Sequence, residues 1–348
     1  MKKDSIILIA FIAIFLFSLQ LYSLENVPII KAQLHESMSD FNLAEIQQMV
    51  TVQGKQYFLE SANHRIAIAE HNKITGQIGR IGQKNGELYY PLNLVVKNEK
   101  DFFVLDFIGE GTNRIQHLDQ NGNYISGFTI FPKVWVFSIN EKKEVFLGQP
   151  HLGNLFSVYN IKGKRLKRFG EPILPSSILG PAHKNLDKNH KIPMNRVNIT
   201  HDNKDNLWAS FLFMPLIVKY SPDGELVFKK VITTPGLTPV VKALLNPGSK
   251  DARNYLSRNI DGIQMPVIIK EIVFNKYDKN IYALLGSNEI LKLNPDGETV
   301  LIIKPQFKKG ALEKIFIDNQ NHILVKFFFH SQLYRLEINE AVNLREEE

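Results

Sequence analysis

Three groups of residues have the types and spacing for chemistry. In HLDQNGNYISG, residues 117–127, the oxygen-bearing Asp119, Asn121 and Asn123 alternate as the first ligands of a calcium loop do. A loop of the hand type then needs Gly at its sixth position and an acid at its twelfth, and those places hold Tyr124 and Ile130. The pair Asn121-Gly122 instead predicts a tight hairpin turn. The second group is drawn from ten histidines, of which His64, His151, His183, His190 and His330 fall in predicted loops. Converging imidazoles could hold a divalent ion with open positions for water. His64, His151 and His330 are the candidate metal set under that reading, although no pair of them has a recognised ligand spacing. The third group is the polar cluster Asp106, Glu110, Asn113 and Arg114. It could line a ligand surface, or Asp106 and Arg114 could satisfy each other and nearby backbone amides; the second is favoured, which leaves Glu110 and Asn113 for ligand contact. Nucleophilic catalysis lacks its parts, because the chain has no cysteine and no Gly-x-Ser-x-Gly elbow.

The elements that must position these groups are β-rich. Of 348 residues, 44% are hydrophobic and 22% charged, enough apolar content for a sizeable core and far from the composition of disorder. The net charge of +7 is spread along the chain, and the densest basic runs, Lys162 to Lys167 and Lys308 with Lys309, are short. Nucleic-acid binding wants such residues clustered with aromatics, so no nucleic-acid partner is expected. With no cysteine, stability must come from packing and strand pairing.

The opening MKKDSIILIAFIAIFLFSLQLYSLENVP has two lysines, an apolar run from Ile6 to Phe17 and a polar segment ending at Ser18 or Ser23. That is the layout of a secretory signal over residues 1–23. Export to a periplasmic or extracellular location is expected. If the segment were retained, Ser5 to Tyr22 would be just long enough to anchor the chain in a membrane, and membrane contact is expected only then.

Short strands separated by turn residues recur over residues 26–339, followed by the charged tail 340–348. The clearest unit splits into strands Leu92 to Val96, Phe102 to Asp106, Arg114 to Leu118 and Tyr124 to Ile130, here lettered a to d. Six such units, with insertions at 171–193 and 233–266, predict an all-β fold: a six-bladed β-propeller with four-stranded antiparallel blades. The sixth unit lacks its fourth strand. The apolar run NVPIIKAQ, Asn26 to Gln33, is predicted to supply it and close the ring.

The second unit resembles an NHL repeat: Gly79, Gly82 and Gly86 lead in, Pro91 opens strand a, Asp106 closes strand b, and Asn113, Arg114 and Ile115 open strand c. Asn63, His64, Arg65 and Ile66 echo the last part in the first unit. The resemblance covers six units loosely, residues 46–338, with its motifs in the first two. It implies a propeller whose known uses include binding scaffolds and metal-dependent lyases; related six-bladed folds include lactone hydrolases.

Antiparallel pairing puts the b-to-c and d-to-a connections on one face of such a disc, and both insertions are d-to-a connections. The binding face is therefore expected on their side, with Glu60, Asn63, His64, Asp106, Glu110, Asn113, Arg114, His151, Asn154, Asn288, Glu289 and His330 as its candidate residues. The second insertion is predicted to hold short helices at Pro239 to Leu245 and Ser249 to Arg258. Trp135, Phe137, Trp208, Phe211 and Phe213 are read as packing between blades, and FLFMPL, Phe211 to Leu216, as a possible exposed docking patch. The function expected is non-catalytic binding of a protein, peptide or glycan by a monomer without a cofactor. The alternative is a metal-dependent lyase or lactone hydrolase with a histidine-lined site near the axis, the one reading that needs a divalent metal.

Overall fold

The computed structural model describes residues 27–36, 43–71, 73–189, 191–246, 255, 257–260, 263–307, 310–328 and 332–338. The segment expected to be a signal, the charged tail, His190 and His330 lie outside the described residues. Strand β1 is Ile29–Glu36. The first sheet is β2 (Ile46–Val52), β3 (Lys55–Glu60), β4 (Arg65–Glu70) and β5 (Lys73–Ile78). The second is β6 (Pro91–Asn98), β7 (Asp101–Gly109), β8 (Thr112–Leu118) and β9 (Tyr124–Ile130). The third is β10 (Phe137–Ile139), β11 (Val145–Gly148), β12 (Phe156–Tyr159) and β13 (Arg165–Phe169). The fourth is β14 (Val197–His201), β15 (Leu207–Phe211), β16 (Leu216–Tyr220) and β17 (Leu226–Val231). A two-stranded hairpin follows, β18 (Ser257–Ile260) with β19 (Ile263–Pro266).

The remaining strands are β20 (Ile269–Phe274), β21 (Ile281–Leu285), β22 (Ile290–Leu293), β23 (Thr299–Gln306), β24 (Leu312–Ile317), β25 (Ile323–Phe327) and β26 (Leu333–Ile338). They join β1 in one eight-stranded sheet of order β20-β21-β22-β23-β1-β26-β25-β24. Within it β1 pairs antiparallel with β26 and parallel with β23. The expected closing strand is thus present, and it runs three residues beyond Gln33, to Glu36. The whole is a propeller arrangement of four-stranded antiparallel blades, four separate and the rest carried in the eight-stranded sheet.

Burial explains the order within each sheet. Second and third strands are the most buried, and β15 and β16 are buried throughout, because neighbouring sheets cover both their faces. Fourth strands such as β17 are largely exposed and form the rim. First strands pack side by side from β2 through β6, β10, β14, β20 and β24, and β24 returns to β2. Their inner faces surround the axis.

The turns between third and fourth strands repeat one design. Asp119 accepts hydrogen bonds from the backbone amides of Asn121 and Asn123, each at 2.8 Å, and from Asn123 Nδ2 at 2.9 Å. Those bonds hold the Asp119 carboxyl below its ordinary pKa. The segment that mimics a calcium loop is therefore a side-chain-capped turn. Asn160 and Asn294 make the same two amide contacts in their own turns. A one-residue register shift sits just before each of these turns, at Ile68/Ala69, His117/Leu118, Val158/Tyr159, Lys219/Tyr220 and Lys292/Leu293.

The second insertion departs from its sequence reading. Its first helix, Leu237–Leu245, forms as expected, with Leu237, Val240, Ala243 and Leu244 buried. The second expected helix does not reach Arg258, because Ser257 and Arg258 belong to β18 and pair with Pro266 and Met265. Residues 249–254 and 256 of that expectation lie outside the described residues.

Candidate functional site

The predicted polar cluster at the second blade is a clasp. Arg114 Nε and Nη2 lie 3.0 and 2.8 Å from Asp106 Oδ2. The same guanidinium donates to the carbonyls of Gly82, Lys84 and Glu87 at 3.2, 3.0 and 2.7 Å, and to that of Gln83. Asp106 also accepts from the amides of Tyr89 and Tyr90 at 3.0 and 2.7 Å. Burial pushes the Asp106 carboxyl up against the pull of those amides and of Arg114. Both side chains are spent on pinning the connection between the first and second blades.

The first blade repeats the device. Glu60 is buried and accepts from Arg65 Nε at 2.6 Å, Asn63 Nδ2 at 2.8 Å and the amide of Ala44 at 2.7 Å. His64 donates its Nδ1 proton to the carbonyl of Tyr89 at 2.5 Å.

Other predicted binding residues are withdrawn from the surface in the same way. Asn113 is buried, with its Oδ1 accepting the amide of Val134 at 2.8 Å, which corrects the expectation that it faces a ligand. Glu289 is buried and accepts Thr234 Oγ1 at 2.6 Å, so it fastens the start of the second insertion. FLFMPL is core: Phe211, Phe213, Met214 and Leu216 are buried, in one cluster with Leu237, Val240 and Leu244 of the insertion helix. The helix covers the run that sequence alone left open as a surface patch. Glu110 is exposed at the tip of its turn, and Asn154 is half-buried. His151 is half-buried, and burial lowers its pKa.

A different set of residues gathers on the insertion-bearing face. At the starts of the six inner strands lies a cavity of about 280 Å³. Glu45, Gln47, Tyr90, Leu92, Trp135, Arg196, Asn198, Lys270, Glu313 and Lys314 line it from those strand starts. Leu212 and Phe328 contribute from connections, and Arg258 reaches it from the β18-β19 hairpin. Trp135 is 48% exposed, which corrects its reading as inter-blade packing, whereas Trp208, Phe137, Phe211 and Phe213 are buried as expected. Lys133 Nζ sits 3.8 Å from the centroids of both Phe107 and Trp135 and steadies the indole.

The electrostatics of this mouth are uneven. Glu313 pairs with Lys326, Lys314 with Glu271 at 3.0 Å, and Glu45 accepts Tyr90 OH at 2.9 Å. Lys270 is 8% exposed, and its Nζ donates to the neutral Oδ1 of Asn288 at 2.7 Å. Burial pushes the Lys270 amine down to about 7, with Glu313 pulling weakly the other way. Asn288, a predicted binding residue, thus holds this lysine.

A larger axial cavity, about 480 Å³, lies at the other ends of the inner strands. Ser138 Oγ and His201 Nδ1 are 2.7 Å apart on its wall, and burial holds His201 down to about 3. His201 Nε2 is buried without a hydrogen-bond partner among the described residues. A serine nucleophile would need an acid to orient the imidazole, and none is bonded to it there. Among the described residues no three of His, Asp and Glu come together as a metal site, and neither His64 nor His151 lines either axial cavity.

Sequence reasoning missed Trp135, Arg196, Arg258, Lys270 and Lys314. Aligning the repeated units at the start of strand a would have revealed most of them, because polar and cationic residues recur there where core residues are expected.

No family model matches the chain, and no curated protein matches it. Among solved structures, a catalytically inactive virginiamycin B lyase from Staphylococcus aureus, solved with quinupristin, is 15% identical. The match covers 86% of this chain and 83% of that one, with a TM-score of 0.52. A Bacteroides fragilis protein predicted to be exported is 13% identical over 90% of this chain and 100% of its own, with a TM-score of 0.55. A member of the DUF4221 family from Bacteroides vulgatus is 10% identical over 89% and 99%, also at 0.55. These likenesses establish the propeller fold alone. No helix among the described residues is long and apolar enough to cross a membrane.

Proposed function

We propose that this chain is an exported, NHL-like propeller of six blades that binds a protein, peptide or glycan at the axial mouth of its insertion-bearing face, without catalysis. The blade count follows from reading the eight-stranded sheet as two blades joined through β1, each with its own inner strand, β20 and β24. The NHL-like reading draws on the Glu60-Arg65 and Asp106-Arg114 pairs, which occupy matching places in the two blades that carry the motif.

The observation that carries the functional reading is the mouth itself. It brings together an exposed indole, several cations and a hairpin from an insertion, on a rigid ring where Glu60, Asp106, Arg114 and Glu289 are consumed in clasps. A concave site with a few convergent polar groups is the usual form of a binding site. The lyase alternative has less support, since His64 is tied to Tyr89 and sits with His151 on turns away from both axial cavities.

Screening the mature chain against glycan and peptide arrays, beside the variants Trp135→Ala and Arg258→Ser, tests the proposal. Specific binding that both substitutions weaken supports it; a ligand held equally well by both variants contradicts it. Export is tested separately by mass spectrometry of the mature amino terminus, which should begin after residue 18 or 23.

A further inference from the structure

The mouth contains a cation without a counter-charge. Lys270 projects from β20 into the lining, and among the described residues it forms no ion pair; its one hydrogen-bond acceptor is the side-chain oxygen of Asn288, which also accepts the amide of Leu312 at 3.0 Å. The carboxylates nearby are already engaged. Glu313 is bound to Lys326, Glu271 to Lys314, and Glu45 to Tyr90 and Gln47. Arg196 from β14's approach and Arg258 from the β18-β19 hairpin face the same space and add positive charge to it. Burying an ammonium group against a neutral partner costs free energy that an arriving anion would recover.

We propose that the mouth takes an acidic saccharide, with a carboxylate seated against Lys270 between Arg196 and Arg258 and a sugar ring laid against Trp135. This rests on the reading of the mouth as a binding site. The saccharide is favoured over an acidic peptide by Trp135, whose indole is exposed at the rim and held in place by Lys133. A flat, fixed aromatic surface beside cations suits a ring that carries an apolar face and a negative charge.

The assignment has a consequence for protons. The Lys270 amine titrates near neutrality when the mouth is empty, and an adjacent carboxylate favours its charged form. Binding should therefore take up a proton, and affinity should fall as pH rises above 7. The other charged groups around the mouth are Glu45 and Glu313 from the lining, Lys314 with its partner Glu271, and the guanidinium groups of Arg196 and Arg258.

The test is isothermal titration calorimetry of the mature chain with three probes: an oligogalacturonate, a neutral galactose oligomer of equal length and a glutamate-rich hexapeptide. Each is run at pH 6.5 and 8.5 in two buffers of different ionisation enthalpy. The oligogalacturonate should bind with little proton uptake at pH 6.5 and with larger uptake at pH 8.5, where its affinity should be about tenfold lower. Lys270→Met should lose a similar factor and the pH dependence, and Arg258→Ser, on an exposed hairpin, should weaken binding without touching the core. Binding of the neutral oligomer that needs Trp135 but not Lys270 overturns the anionic assignment while leaving the mouth as a binding site. Binding of the peptide alone overturns the saccharide. Failure of all three probes overturns the proposal.

Discussion

Asp106 and Arg114 meet across β7 and β8 with two guanidinium nitrogens on one carboxylate oxygen, and both side chains are shut away from solvent. Arg114 then spends its remaining donors on the carbonyls of the connection that leads into its own blade. Removing Arg114 would leave the buried Asp106 charge unpaired and four carbonyls without their donor. Arg114→Met should lower stability by about 3–5 kcal/mol, measured by urea unfolding. A loss under 1 kcal/mol would mean that the pair does not pin the connection.

The turns between third and fourth strands that hold Gly122, Gly163, Gly224 and Gly297 rest on the blade before them. A Cβ at Gly224 would come within 2.9 Å of the Phe169 ring, and one at Gly297 within 2.5 Å of the Phe228 ring. Both glycines also have left-handed backbones, with φ of +91° and +84°. Gly297→Ala should cost about 1–3 kcal/mol, whereas Gly297→Ala combined with Phe228→Ala should show that the two changes are not additive. Simple additivity in the double mutant would deny the contact.

Strand β1 serves two neighbours at once, in register from Ile29 with Ile302 on one side and from Ala32 with Ile338 on the other. Deleting residues 26–36 would bare the edges of β23 and β26 together. The melting temperature should fall by more than about 5 °C in calorimetry. An unchanged melting temperature would show that the ring holds without it.

Lys270 gives a pH dependence of defined sign. Its folded-state pKa of about 7 lies below the ordinary value of 10.5, so the unfolded chain binds more protons between those limits. The lysine therefore lowers stability most below pH 7, and the penalty fades as pH rises from 7 towards 10.5. Lys270→Met should be more stable than wild type by about 1–3 kcal/mol at pH 6.5, with the gap closing by pH 10. A constant gap across that range would show that the amine titrates normally in the fold.

What could be read from the sequence followed how local its cause was. Turn chemistry is local, so Asn121-Gly122 marked a hairpin and the orphan run Asn26 to Gln33 marked a closing strand, both of which the structure contains. The face of FLFMPL was not local. Its burial depends on the helix Leu237–Leu245, which arrives from a later insertion. The candidate site was harder still, because Trp135, Lys270 and Arg258 come from distant stretches that meet only around an axis. The polar residues that stood out in sequence, Asp106, Arg114, Glu60 and Glu289, stood out because blades need clasps. In Ser249 to Arg258, an apparent helix start competed with strand pairing, and at Ser257 and Arg258 the pairing won.

The central claim, that ligands enter the mouth beside Trp135, is open to one direct measurement. The chain has two tryptophans, Trp135 exposed and Trp208 buried, so acrylamide quenching of intrinsic fluorescence reports mainly on Trp135. Quenching should fall sharply when a probe that binds by calorimetry is added at saturation. A saturating ligand that leaves the quenching of Trp135 unchanged would place the binding site elsewhere and contradict the account.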